Sequence, residues 1–402
     1  MKILRIIYEW PPPWDGLTAH PYELTVSQSK LGHEIEIICG RWPRAGDIEQ
    51  VKNVKLHPLI REPLNGLLLI TVAPLVLFKY LSVSRRFKPD VVHIHGHFGL
   101  YVYLYRTFLG KFYKKSLELS VPIVSHFHNT VAGRWEASRE NNIELKPLTK
   151  LVHWPLAKVS DSLAVKHASA CVFVSEATKQ EAIKHYNASP EKCFVVETGV
   201  NPILFSRVSQ EEKEKTRKDL GLDNYDKVIL NNGAMVERKN IHLLVEALKH
   251  LPIEYKLLLV GPGDPDYMYK LDTLIADNQL NHRVVKVGYT PYPNVPIAFQ
   301  AADIFVLPSG WEGLPKVVMQ SLACAVPTLA SGFKLANPVE GLFYIQELTP
   351  ETIARQIKQI VEDDPFVDSN TIALHYSWDT KAQQLEQVYQ FVLNQDTNVQ
   401  PQ

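Results

Sequence analysis

Short runs of Val, Ile, Leu and Phe recur along the chain, each followed by a longer stretch with helical spacing. Strands buried in a parallel sheet read as near-continuous apolar runs, and crossover helices separate them. The pattern predicts first-half strands at Ile3–Tyr8, Glu34–Cys39, Val54–Pro58, Val91–His95, Ile123–His126, Cys171–Val174 and Phe194–Val196. In the second half it predicts Val228–Leu230, Lys256–Val260, Val284–Val287, Ile304–Leu307 and Thr328–Ala330. Strands alternating with helices define βαβ units, so the expected class is α/β, with two Rossmann-like doubly wound domains in tandem. The expected boundaries are a first domain at 1–205, a linker at 206–226, a second domain at 227–375, and a closing helix and tail at 376–402. The linker stretch Arg207–Asp226 is rich in Glu, Lys and Asp and reads as a surface helix, and the tail Asp396–Gln402 reads as disordered. Such a pair of domains is expected to hold a cleft with the carboxyl edges of both sheets facing it.

Composition narrows the class. The chain has 402 residues, enough for two cores, and is 46% hydrophobic and 21% charged, as in soluble globular proteins. Lys+Arg and Asp+Glu are 43 each, which gives no global charge for a nucleic-acid partner. The four cysteines are scattered, with neither disulfide-framework nor zinc-site spacing, and read as reduced buried thiols. Met1–Tyr8 is too short and too charged for a signal peptide, so the expected location is cytoplasmic. Leu64–Val83 is almost wholly apolar but is interrupted by Pro74 and Lys79. A spanning helix needs about 20 apolar residues, and the segment is read as a non-spanning helix. Tyr80–Ser116 beside it carries Arg85, Arg86, Lys88, Arg106, Lys111, Lys114 and Lys115 against the single acid Asp90. Apolar and basic residues side by side suit an anionic membrane surface, and equally a core helix with a basic rim.

The chemistry-bearing residues cluster where strands end. The strand Ile304–Leu307 runs into Pro308-Ser309-Gly310, then Glu312 and Gly313, then an apolar helix at about Pro315–Cys324. Free backbone N–H groups at such a helix start stabilise a phosphate, and Glu312 is placed to accept hydrogen bonds from sugar hydroxyls. Asn231–Asn240 joins another strand to a helix and holds Gly233, Arg238 and Lys239; two cations there suit a diphosphate. Gly16, after the first strand, lets the backbone approach a phosphate or acceptor, or simply turns the chain. His128 lies just past the strand Ile123–His126 and is expected at the cleft. His93, His95 and His97 alternate and would share one strand face. No further ligand or carboxylate is adjacent, so they are read as a polar strand end facing the cleft and not as a metal site. Asp264 and Asp266 are read as a capped turn before a helix at Tyr267–Asp277.

The ordered set resembles the family 4 retaining glycosyltransferases with the GT-B fold. The likeness rests on Pro308–Pro327 and on Gly16, His20, Glu23-Leu24 and Leu31–Glu34. It extends through Asp90–His95, Val174–Glu176, Thr198–Asn201 with Phe205, Gly233 with Lys239, and Ala302–Ser309. It implies metal-independent transfer of a hexosyl group from a nucleotide-sugar to an acceptor hydroxyl with retention, by front-face attack assisted by the donor phosphate. Cofactors are expected to be none. The implied acceptor is a lipid-linked or polysaccharide precursor of the cell envelope, met at the inner membrane face. In this likeness Glu312 contacts the donor sugar, Lys239 the diphosphate, and His128 is the active-site histidine of the first domain. Gly16, Gly233, Arg238, Gly313, Leu314 and Gln320 complete the implied donor site. Three positions depart from the family pattern: Gln320 replaces the glutamate that holds ribose, Ala234 an arginine, and Asp15 a glycine. Those departures leave two alternatives, a degraded homologue acting as a partner protein, or another GT-B enzyme such as an epimerase or phosphorylase.

Overall fold

Seven parallel strands and then six form two separate sheets in the computed structural model, which describes residues 1–14, 16–60, 67–109, 120–140 and 147–397. The first sheet comprises β1 (Lys2–Ile7), β2 (Glu34–Arg41), β3 (Val54–Ile60), β4 (Val91–His95), β5 (Ile123–Phe127), β6 (Ala170–Phe173) and β7 (Cys193–Val195). Its spatial order is β3-β2-β1-β4-β5-β6-β7. The second comprises β8 (Lys227–Asn232), β9 (Tyr255–Val260), β10 (Val284–Gly288), β11 (Ile304–Leu307), β12 (Thr328–Ala330) and β13 (Leu342–Tyr344), in the order β10-β9-β8-β11-β12-β13. In each sheet the order reverses beside the first strand, the switch point at which open α/β sheets bind ligands.

Both faces of each sheet are covered. On β1, Ile3 and Ile7 join one core cluster while Leu4 and Ile6 join another, the period-2 alternation of a strand. Arg5 is fully buried on the Ile3 side. It is held there by the Thr25 hydroxyl and the Gln28 amide, which offset part of the cost of burying its charge. The chain divides into one unit of Met1–Thr198 with Trp378–Gln402, and another of Gly199–Ser377. The last helix, Trp378–Thr397, thus belongs to the first unit, where Leu385, Val388 and Tyr389 pack with Ile3 and Ile37. The stretch read as a linker contains the helix Gln210–Asp219, started by a Ser209–Glu212 capping box. It lies within the second unit, where buried Arg217 donates to Ala301 O at 2.9 Å and to Asp303 at 2.6 Å. The tail Asp396–Gln402, expected to be disordered, falls largely outside the described residues, as do Asp15, Lys111, Lys114 and Lys115.

The run Leu68–Phe87 is long and apolar enough to cross a membrane, with 39% of its window buried. It is built as the short helix Leu68–Thr71 followed by Ala73–Phe87, with Pro74 at the start of the second. Val76, Tyr80, Val83 and Phe87 fill the first unit's core, while Ile70, Leu75 and Phe78 are exposed.

Candidate active site

In the second unit the strand-end loops after β8 and β11 hold one another. Gly233 has φ +139°, and a Cβ there would lie 3.0 Å from Lys239 Nζ. A Cβ on Gly261, after β9, would lie 2.2 Å from Gly233 O, so only glycine fits that crossing. Arg238 O accepts from Gly310 N at 3.0 Å, and Asn240 donates to Pro308 O at 3.0 Å. Glu312 N donates to Gly332 O at 2.8 Å. One backbone bond and the Asn240 side-chain amide thus tie the two loops to each other.

The side chains then converge. Glu312 Oε1 accepts from Arg238 Nη1 at 2.8 Å and from Ser309 Oγ at 2.9 Å, with Lys239 Nζ at 3.4 Å. Among the described residues, none of these partners lies on Oε2, which keeps its acceptor capacity. Burial raises the carboxyl pKa, but Lys239, Arg238 and the Ser309 bond together hold it below the usual carboxylate range. Two cations against one carboxylate leave a positive excess, suited to an anion. The helix Lys316–Ala323 follows, and no described hydrogen bond engages the backbone N–H of Gly313 or Leu314 before it. Gln320 sits within that helix, 5% exposed. Ala234 is exposed. Gly233, Arg238, Lys239 and Glu312 are therefore brought together, with Gly313 and Leu314 on the connection after β11 and Gln320 in the helix that follows it. Asp264 caps the helix Pro265–Asp277 by accepting from Asp266 N and Tyr267 N.

His128 and Gly16 belong to the first unit, which has its own cavity of about 280 Å³ at the carboxyl edge of its sheet. Ile7, Leu17, Leu68, Leu69, Phe98 and Phe127 form an apolar part of its lining, and Glu9, His95, His97, His128, Arg134, His153 and Asp161 the titratable part. Gly16 is exposed, with φ +50°. A Cβ there would lie 3.3 Å from Glu9 Oε2, the oxygen that accepts from Leu17 N at 2.7 Å. Sequence reasoning missed Glu9, whose signal is only an acid one residue beyond a strand.

The histidine row differs from expectation. Gly96, at φ +60°, ends β4, so His97 leaves the strand for the turn Gly96–Gly99. Its Nδ1 lies 3.1 Å from buried Asp161 Oδ1, in a bent approach. His93 and His95 are both buried, His95 also lining the cavity and His93 not. Their partners come from β5 and the residue that follows it: His93 Nε2 lies 3.2 Å from His126 Nδ1, and His95 Nδ1 lies 3.3 Å from His128 Nε2. His93 Nδ1 is 2.7 Å from Tyr389 OH, supplied by the last helix. His20 packs edge-on against His126 and His128. Burial, and then neighbouring rings and Arg5, push His93, His95 and His126 well below the ordinary histidine range. They are neutral at pH 7. Two triads, His20–His95–His128 and His93–His95–His126, bring ring nitrogens within 4.8 Å of one another. Neither contains a carboxylate, and the Arg5 guanidinium already places a positive charge there. A divalent ion would add uncompensated charge to a low-dielectric core.

Two family models match: glycosyltransferase family 4 over residues 14–203, and glycosyl transferases group 1 over 212–372. The chain belongs to this GT-B family and is a glycosyltransferase. It is 24% identical to an uncharacterized glycosyltransferase of Methanocaldococcus jannaschii, over 98% of this chain and 99% of that one. It is 23% identical to the D-inositol 3-phosphate glycosyltransferase of Corynebacterium aurimucosum, over 95% and 92%. Its fold matches Anabaena Alr3699/HepE, solved in complex with UDP and glucose, with TM-score 0.73 and 18% identity over 97% of this chain and 100% of that chain.

Proposed function

We propose that this chain moves a hexosyl group from a nucleotide-sugar to an acceptor hydroxyl, with retention at the anomeric carbon. The observation that carries the reading is the cluster of Glu312, Arg238 and Lys239 on the strand-end loops after β8 and β11. In this reading Lys239 and the N–H groups of Gly313 and Leu314 offset the charge that builds on the departing diphosphate. Glu312 Oε2 accepts from the sugar, held by the bonds on Oε1. Gln320 accepts the ribose hydroxyls. The bound Anabaena nucleotide and the inositol-phosphate relative support a nucleotide donor and a hydroxyl acceptor. Front-face attack asks the protein for positioning and charge more than for a base.

The first unit's cavity suits the acceptor end. It mixes apolar walls with acids and imidazoles, and Leu68 and Leu69 lead from it to exposed Ile70, Leu75 and Phe78. That continuity favours an amphipathic, lipid-linked acceptor and a peripheral contact with the inner membrane face. His128, on the cavity wall, serves the sugar. Calorimetric titration with UDP, GDP and ADP, then incubation with the matching nucleotide-sugars and membrane extract, tests the proposal. An α-linked donor should give an α-linked product by NMR. Binding of none of the three nucleotides would overturn the reading.

A further inference from the structure

Resting on the role given to His128 above, we propose that His95 is a positioning residue that fixes the tautomer of His128. A neutral imidazole has one N–H and one acceptor nitrogen, and the hydrogen bond made by one nitrogen decides the character of the other. Burial keeps His95 neutral. Its Nδ1 faces His128 Nε2 at 3.3 Å, so one ring donates and the other accepts. The remaining nitrogen, His95 Nε2, is buried and has no hydrogen-bond partner. Two arrangements follow. If His128 donated, the His95 proton would sit on Nε2 as a buried orphan N–H. If His95 donates from Nδ1, its Nε2 is an orphan acceptor. Orphan buried N–H groups are the rarer and costlier case.

The second arrangement therefore holds. His95 carries its proton on Nδ1, and His128 Nε2 is consumed as the acceptor. His128 then carries its own proton on Nδ1, and that nitrogen is a hydrogen-bond donor and not a base. A donor fits the cavity wall of a reaction in which the leaving phosphate, and not the protein, takes the acceptor proton. The neighbourhood holds the geometry rigidly. His95 stacks on His93 at 4.3 Å between ring centres, and His93 is anchored by Tyr389. His126 stacks on His128 at 4.9 Å.

The test uses full-length protein labelled with ¹⁵N in the histidine rings, His128 being assigned by the loss of its signals in His128→Gln. The expected spectrum has His128 protonated at Nδ1, with a scalar coupling across the bond from His95 Nδ1–H to His128 Nε2. His95→Gln retains an amide donor and should keep the tautomer. His95→Phe retains the ring shape without a donor; the tautomer should become mixed and kcat fall on the order of tenfold or more, with donor KM little changed. A wild-type His128 protonated at Nε2 overturns the proposal whether or not the variants fold. So does an unmixed Nδ1–H tautomer, or an unchanged kcat, in folded His95→Phe. The spectrum needs no substrate, so it can fail or succeed independently of the transferase reading.

Discussion

Glu312 shows how much one side chain is asked to do. Its Oε1 ties Arg238, Lys239 and Ser309 together, so removing the whole side chain would leave Lys239, itself 7% exposed, beside a second cation. Glu312→Gln keeps the shape and is the cleaner probe. It should lower turnover by about 10²-fold or more, the usual loss for one preorganised electrostatic group, with little change in melting temperature. Lys239→Ala should do the same, since Arg238 still pairs Glu312. Near-full activity in either variant would sink the donor assignment. Arg238 bears on a second prediction. Ala234 stands where the family pattern has an arginine, and we propose that Arg238, bonded to Glu312 and to Trp311 O at 3.1 Å, takes its place. Arg238→Ala should abolish nucleotide binding in calorimetry, and Ala234→Arg, at an exposed position, should restore it in that background. Gln320→Glu should tighten binding by up to about tenfold, roughly 1.4 kcal/mol, because a charged acceptor strengthens a hydroxyl bond. If the double variant stays silent, Arg238 is not the substitute.

Twelve of the thirteen described strands were legible as apolar runs, because parallel strands covered on both faces have little room for polar residues. β13 was missed: it is three residues long, lies at a sheet edge, and is only half buried, so its run is weak. The strand-end loops after β8 and β11, proposed to hold the donor, were legible as loops because glycine and charge at strand ends are local signals. The histidine cluster was not. His20, His93, His95, His126 and His128 come from a helix, two neighbouring strands and the residue just past one of them, and only the register His95↔His126 brings the two rows side by side. Nor could spacing show that Gly96 would turn His97 away. The helix Ala73–Phe87 makes its own prediction. Its inner face fills the core, while Leu75 and Phe78 are exposed, and Arg85 and Arg86, the latter paired with Glu36, lie in its last turn. Sedimentation with anionic vesicles should rise at low salt and fall at high salt, since surface attraction is screened within about 10 Å at 0.1 M. Leu75→Ser with Phe78→Ser should weaken it without unfolding the chain. Equal binding to neutral and anionic vesicles would remove the membrane proposal.

At the scale of the molecule, the buried imidazoles make the first unit the acid-labile one. His93, His95 and His126 are neutral in the fold because burial, then their neighbours, push their pKa values well down. Burial, then His97 and Arg134, push His153 down to about 4. Unfolded, each titrates near 6.5, so below that pH the unfolded chain binds more protons. Stability is therefore fully present above about pH 6.5 and is lost as pH falls from there. For His153 the loss continues to about pH 4. Each fully buried ring contributes at most roughly 1.4 kcal/mol per pH unit, reached well below pH 6.5, so about 4 is the ceiling for the three clustered rings together. Glu312 and Asp303, whose pKa values are lowered, also favour the fold, but their share is lost only below the carboxylate range near 4. Both lie in the second unit, and the four histidines lie in the first. Of the seven tryptophans only Trp311 is in the second unit, so tryptophan fluorescence reads the first almost alone. Urea unfolding followed by fluorescence should show a midpoint that falls steeply between pH 6.5 and 5, while nucleotide, proposed to bind the second unit's residues, should protect little of it. His126→Phe removes one titrating ring from the cluster, and its midpoint should fall less steeply with acid by about one proton's worth. A midpoint flat across that range would mean the rings are protonated in the fold, and the neutral network would have to be abandoned.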